Sequence, residues 1–539
     1  MKYSHNLTER NLNMGGIYMK NYNYKMFRSN PENARRINNN VEGHPLRDSF
    51  DRDRDRIMYS KAFRRLSGKT QIFLASKDDH ARNRLTHTLE VSQIARTIAK
   101  SLGLNETLVE AIALGHDIGH TPFGHVGERT LDKIMSGCYE IEGFTDAQVA
   151  SGYIGFKHNW QSIKVATLFS DDLCLTTTTL WGMLNHSKKR YRECDYHTNN
   201  NEGSKICKFR CDKIKECKYN KADELSYYEN YRVEKDEHLV RLSSLIKDNE
   251  AWSIEGYIVS VADEIAQRHH DIEDAIEYKL ISENGLFERL GDIFSECLNL
   301  NSNYYNQAGV KNNEEWLKSY EQHKDNFNNL KECIDNDKKE KFLGCLSKFI
   351  VNILTTDVIY NTAYLFDSLI NKFDIKSDDK FENIRFKIKD DLEMNKKLYS
   401  PLMIKNDEGL EKLLKNRILN SYEAQKMDGM GQYIIRELFK AYVVNPQQLP
   451  NKSITYLFNN YYRIKYGCGY KSILENNEFI EEGYYNIGNM RDELQELHFS
   501  REDKKYKIAL LRTICDYISG MTDKYAMEKH RELYNIEYK

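Results

Sequence analysis

Proline is the residue that most constrains what this chain can fold into. Six are present, at positions 31, 45, 122, 401, 446 and 450, and none lies between 123 and 400. Sandwiches and barrels of many strands need Pro/Gly turns at short intervals, whereas proline disrupts helix interiors. The proline-free stretch therefore argues for helices and against an all-β fold. At 539 residues the chain is long enough for three or four domains of ~150 residues, or for one large helical body. With 40% apolar and 30% charged residues it can bury a core and does not look disordered. Lys plus Arg number 79 against 81 Asp plus Glu, a formal net charge of −2, so no global bias points to nucleic acid or a membrane.

Patterning divides the chain into three. Residues 1–45 are polar, Asn-rich and weakly patterned, and read as an N-terminal arm. Residues 46–300 form the expected core. Within it Leu85, Leu89, Val91, Ile94, Ala95, Ile98 and Leu102 recur at helical spacing. Gly103 suits a C-terminal cap, and Asn105 with Glu106 suits the start of a helix leading to His116. A polar insertion, 186–235, interrupts the core. Between Lys188 and Lys221 it has 11 basic and 5 acidic residues, a local net of about +6. Residues 301–539 form a helical C-terminal region expected to pack on the core, with amphipathic segments at 315–335, 340–370, 407–444 and 503–535. The N-terminus lacks an apolar signal-like segment, and no run approaches ~18 consecutive apolar residues, so no membrane association is expected. With eleven scattered cysteines, these features favour a reducing cytoplasm.

Four residues, His87, His116, Asp117 and Asp263, lie on or at the end of three expected helices. Imidazole and carboxylate suit a divalent metal such as Mn, Fe or Zn, and ligands from several helices can meet on one ion inside a bundle. A single histidine on an apolar helix is more often packed than ligating. The run His116, Asp117, His120, His125, Glu128, interspersed with Gly119, Gly124 and Gly127, is denser than core packing requires. Gly119 and Pro122 should end the helix, so HDIGH is a poor match to a zinc-protease HExxH helix.

The His…His-Asp…Asp order resembles the HD superfamily of metal-dependent phosphohydrolases. Longer segments, FDRDRDRIMYSKAFRRLSGKTQIF (50–73), RLTHTLEV (84–91), LGHDIGHTPFGHVGE (114–128), FKHNWQS (156–162), ADEIAQRHHDIEDA (262–275) and DYISGMTDKYA (516–526), resemble the deoxyguanosine triphosphate triphosphohydrolase family, in its order. The resemblance implies an all-α fold with an HD-type helical core. It also implies metal-dependent hydrolysis of a deoxynucleoside triphosphate, dGTP foremost, to nucleoside and inorganic triphosphate; the alternatives are another HD phosphohydrolase, acting on a nucleoside monophosphate, cyclic nucleotide or alarmone, and a catalytically silent HD protein that binds nucleotide or nucleic acid. His87, His116, Asp117 and Asp263 would hold the metal, which could also be Mg. Asp117 could also orient water, His125 would transfer the proton with Glu128 behind it, and His120 and His158 would lie near the phosphates. Arg84 would meet the nucleotide, and Gln71 with Asp271 would read the 3′-hydroxyl. Gln267 stands where a tyrosine is frequent at the sugar, and Glu264 stands where the mammalian relative has lysine. The mammalian activator-pocket residues do not match around Tyr59 and Ser67, so the resemblance carries a dNTP activator no further than an expectation. It also suggests a homo-oligomer.

Several features have ordinary alternatives. Arg52, Arg54, Arg56, Arg64 and Arg65, interleaved with Asp51, Asp53 and Asp55, could bind phosphate or form an internal ion-pair network. Cys194, His197, Cys207, Cys211 and Cys217 could hold structural zinc, although their spacing lacks a CxxC. The same basic insertion could touch single-stranded nucleic acid or be a solvated excursion. Lys524 could reach phosphates or lie on a solvated tail helix.

Overall fold

The computed structural model describes residues 23–36, 43–71, 82–145, 147, 155–169, 173–187, 251–299, 314–336, 338–394, 398–466, 487–500 and 502–534. The zinc expectation at Cys194, His197, Cys207, Cys211 and Cys217 falls outside the described residues, as does the basic stretch Lys188–Lys221.

The described chain is helical, as expected, with isolated bridges such as Arg36–Thr176 in place of strands. Helices α1 (Ser49–Tyr59), α2 (Lys61–Arg65), α3 (Arg84–Leu102), α4 (Glu106–Gly115), α5 (Gly124–Met135), α6 (His158–Lys164), α7 (Thr177–Asn185) and α8 (Ile254–Glu277) carry most of the motifs. Next come α9 (Glu283–Ile293), α10 (Ser295–Leu298), α11 (Glu314–Asp335), α12 (Lys339–Phe373), α13 (Phe381–Met394) and α14 (Pro401–Leu414). The chain closes with α15 (Tyr422–Val444), α16 (Asn451–Tyr466), α17 (Ile487–Ser500), α18 (Lys504–Ser519) and α19 (Asp523–Tyr534).

Local chemistry sets the ends. Gly103 terminates α3 at φ 75°, and the Asn105 side chain accepts from Leu108 N to start α4. Two expected helices are each broken. Residues 407–444 divide because Ser421 accepts from Ala424 N and starts α15 afresh, after a π-turn at Lys415–Leu419. Residues 503–535 divide at Gly520–Thr522. That break turns Asp523 inward, where its carboxylate accepts from Thr70 N and Phe123 N, both at 2.8 Å. Phe123 holds a left-handed φ of 60°, a conformation costing roughly 1–2 kcal/mol without such support. The C-terminal helices thus pin the loop that carries the histidine run.

One large core joins α3, α4 and α8 to α12 and α14 through residues such as Ile98, Ile112, Ile265, Phe349, Leu354 and Met403. A second joins α5 to α15, α16 and α18, with Leu131, Leu438, Phe458 and Leu510 among its members. A smaller cluster including Ile57, Phe63, Leu114, Ile118, Trp160 and Met183 lies beneath the histidine loop. Helix α12 is long and apolar enough to cross a membrane, but 61% of its most apolar window is buried inside the protein.

The Arg/Asp set of α1 forms an ion-pair network. Arg54 pairs with Asp51, Asp55 and Glu110, and Arg47 pairs with Asp55. Arg56 donates to the Leu173 and Cys174 carbonyls. Asp53 is fully buried. It accepts from Arg36 Nη1 at 2.6 Å, Thr176 N at 2.9 Å, Thr176 Oγ1 at 2.6 Å and Thr179 Oγ1 at 2.8 Å. Removing one partner of a buried pair leaves the other charge uncompensated. Asp53→Ala should therefore lower unfolding stability by about 3–5 kcal/mol, measured by denaturant titration. A loss below about 1 kcal/mol, the range of an exposed pair, would show that the carboxylate is not holding α1 to the 176–179 turn.

Candidate active site

The site forms where α3 begins, α4 ends and α8 passes between them. Asn83 caps α3, and Arg84 and His87 follow in its first turn, both buried. Helix α4 stops at Gly115, so His116 and Asp117 enter a tight turn rather than continuing a helix. Gly119 is required there: a β-carbon on it would lie 2.1 Å from Ser162 N and 2.6 Å from the His158 carbonyl oxygen. Asp263 comes from the middle of α8.

These elements bring all four expected ligands together. His87 Nε2 lies 2.9 Å from Asp263 Oδ1, and His116 Nε2 lies 3.7 Å from the same oxygen and 3.5 Å from Asp117 Oδ1. His87, His116 and Asp117 each offer a donor atom within a span that one metal ion could bridge. His116 shows why the set suits a cation. Its Nδ1 is 2.6 Å from the Ala113 carbonyl and can only donate there, so a neutral ring keeps its lone pair on Nε2. That Nε2 is buried and has no hydrogen-bond partner. Burial pushes the Asp117 carboxyl up, but His116, Arg84, His120 and His158 outweigh it and hold it well below the usual carboxylate range. Arg84 forms a buried ion pair with Asp117 through Nη1.

A second group lies against the first. Glu128, buried at the first turns of α5, accepts from His158 N at 3.1 Å and faces His158 Nδ1 at 3.0 Å. His158 Nε2 faces His186 Nε2 at 3.1 Å. His186 Nδ1 is engaged with the Met183 carbonyl at 2.6 Å, so the proton between the two rings belongs to His158. His158 then carries protons on both nitrogens. Burial lowers its pKa, but Glu128 outweighs burial and raises it. Its ring stacks on His120 at 4.4 Å, and its Nε2 is 4.0 Å from Asp117 Oδ1. The His125 side chain is 50% exposed, and its Nδ1 is 3.7 Å from Glu128 Oε2. This i, i+3 relation places Glu128 behind His125.

Of the residues expected to meet substrate, Gln71 Oε1, Asp271 Oδ1, and Arg84 Nε and Nη2 are buried without partners. Gly124, at φ 59°, brings its backbone close to the Gln71 carbonyl and the Arg84 guanidinium. Burial, with Asp274 nearby, pushes the Asp271 carboxyl up to about 8. Asp271 and the half-buried Gln267 share α8 with Asp263, but neither bonds to the ligand quartet among the described residues. Lys524 is 84% exposed beside Glu528, the surroundings of a solvated helix face.

Sequence reading missed two contributors. His186 was assigned to the polar insertion at 186–235, yet it caps α7 and its ring is buried 4.9 Å from that of His116. The apolar periodicity of Leu180, Trp181, Met183 and Leu184 just before it was the available signal. Lys69 is buried, donating to the His120 and Ser519 carbonyls, and burial with Arg65 brings its ammonium down to about 7. Nothing in its spacing marked it.

The HD domain family model matches residues 84–193, and the phosphohydrolase-associated domain model matches residues 481–532. Similar proteins include one of Rickettsia rickettsii, 28% identical over 498 residues, covering 91% of this chain and 93% of the relative. One of Leptospira interrogans is 28% identical over 505 residues, covering 94% of each. One of Caldanaerobacter subterraneus is 54% identical over 145 residues, covering 26% of this chain and 38% of the relative. Each bears the name deoxyguanosinetriphosphate triphosphohydrolase-like protein.

Proposed function

Because the chain belongs to the HD-domain family of deoxyguanosinetriphosphate triphosphohydrolase-like proteins, we propose that it hydrolyses deoxynucleoside triphosphates, dGTP foremost, to deoxynucleoside and inorganic triphosphate. The observation that carries this reading is the set of unmet polar atoms. Buried groups normally have partners. Here Gln71 Oε1, Asp271 Oδ1, Arg84 Nε and Nη2, His116 Nε2 and His120 Nδ1 do not. They belong to residues suited to hold a sugar hydroxyl, a phosphate and a metal.

A divalent cation held by His87, His116, Asp117 and Asp263 would supply charge neutralisation on a phosphate oxygen and polarisation of water. The side chains account for the rest. Arg84, with its Nη1 held by Asp117, offers its free guanidinium nitrogens to phosphate oxygens. His158, protonated on both nitrogens, adds positive charge beside Asp117. Asp117 orients the attacking water toward the α-phosphorus. The bond from that phosphorus to the 5′-oxygen breaks, and His125 delivers the proton that the departing oxygen needs. Glu128, 3.7 Å from Nδ1, keeps the His125 ring oriented. Gln71 and a protonated Asp271 hold the 3′-hydroxyl, and Gln267 completes the sugar side.

Incubation of the full chain with Mn²⁺ and dGTP should release deoxyguanosine and intact triphosphate in equal amounts. A panel of the four dNTPs, alone and in pairs, with Mn²⁺ or Mg²⁺, ranks the bases and tests for activation. Pyrophosphate or single phosphate as the product would overturn the reaction.

A further inference from the structure

A line of contacts leaves the ligand quartet on the side away from the histidine loop. His87 Nε2 faces Asp263 Oδ1, while its Nδ1 lies 3.3 Å from His270 Nδ1. His270 is fully buried, and its Nε2 meets Glu90 Oε2. Glu90 and His87 share α3, and His270 lies on α8, so the contacts tie together the two helices that bear His87 and Asp263.

We propose that Glu90 and His270 are positioning residues that fix His87 in its metal-binding tautomer. The proposal rests on the reading of His87, His116, Asp117 and Asp263 as ligands. A carboxylate can only accept, so the single proton of a neutral His270 sits on Nε2, toward Glu90. His270 Nδ1 is then an acceptor, and the 3.3 Å contact requires the His87 proton on Nδ1. His87 Nε2 is left as a lone pair 2.9 Å from Asp263 Oδ1, two acceptors that can face each other only with a cation between them, as the ligand reading requires. His116 reaches the same state through the Ala113 carbonyl. Acceptors of this kind behind a ligating histidine orient the ring and raise its basicity.

The rival use of these residues is a second metal on Glu90, His269 and His270, whose donor atoms also converge. Proton bookkeeping sets the two uses against each other. A cation on His270 Nε2 would move that ring's proton to Nδ1, force the His87 proton onto Nε2, and remove His87 from the first site. Arg82 already brings a positive charge to this cluster, pairing with Glu273 and lying 3.7 Å from Glu90. His269 Nε2 lies 3.0 Å from Glu273, although neither of its ring nitrogens makes a hydrogen bond. The geometry therefore favours the relay.

The test is Mn²⁺ binding to the full chain, measured by calorimetry and by the paramagnetic resonance signal of free Mn²⁺, with melting temperature recorded for each variant. His270→Phe, which removes the acceptor at similar volume, should weaken Mn²⁺ about 10–100-fold. His270→Gln, which retains an acceptor oxygen, should recover most of that loss. Should His270→Phe fail to fold, Glu90→Leu, at a side chain 38% exposed, should weaken Mn²⁺ about 10-fold. Wild-type affinity in the folded His270→Phe or Glu90→Leu protein, alongside lost binding in His87→Ala, would overturn the relay and leave the quartet standing. Wild-type affinity in His87→Ala would instead sink the ligand assignment itself. Two Mn²⁺ ions on the wild type and one on His270→Phe would replace the relay with a second metal site.

Discussion

Asp117→Ala is expected to lower dNTP turnover by at least about 10³-fold, because one carboxylate serves three roles in the proposed chemistry. It faces His116 at 3.5 Å in the candidate metal quartet and neutralises Arg84, and in that chemistry it would orient the water. Arg84 is only 2% exposed. Alanine at 117 would therefore also leave a buried guanidinium without its counter-charge, at a cost of about 3–5 kcal/mol in stability. Asp117→Asn separates the two effects. Its amide oxygen still accepts from Arg84, so folding should be largely retained, while the metal loses a charged ligand and turnover still collapses. Folded Asp117→Asn protein with wild-type turnover would remove Asp117 from the chemistry.

Glu128→Ala carries the second large effect. General acid catalysis contributes typically about 10²–10⁴-fold, and in the proposed chemistry Glu128 would support it from two sides. It faces His125 Nδ1 and binds both the backbone and the ring of His158. Its own pKa shows the balance: burial pushes the carboxyl up, while His158, His125 and His120 outweigh burial and hold it well below the usual range. We expect kcat to fall about 10²–10³-fold. His125→Ala should cost a similar factor, and the double variant little more than the worse single one, because groups acting as one unit are not additive. Fully additive losses in the double variant would mean that Glu128 and His125 act independently.

The helical class was legible through an absence, the proline-free stretch, and the candidate metal quartet through residue type and order. His87, His116, Asp117 and Asp263 converge because their helices are marked by local signals, such as the Gly103 cap and the Asn105 start. Less legible were features set by tertiary packing. The breaks at Ser421 and Gly520 lie inside continuous amphipathic patterns, and only the inward turn of Asp523 toward Thr70 and Phe123 shows what the second break achieves. The α1 ion-pair network needed Arg36 and Thr176, which are far from Asp53 in the chain. His186 was hidden because the polar composition after it suggested that the insertion had already begun. Glu90 and His270 stand in plain helical sequence, and their link to His87 exists only once α3 and α8 are packed.

The central claim is that water attacks the α-phosphorus and the 5′-oxygen leaves. Hydrolysis of dGTP by the Mn²⁺-loaded full chain in ¹⁸O-labelled water, with mass analysis of both products, tests it most directly. The label should appear in the inorganic triphosphate and be absent from deoxyguanosine. Label in the 5′-hydroxyl of deoxyguanosine, or release of pyrophosphate or phosphate in place of triphosphate, would contradict the account.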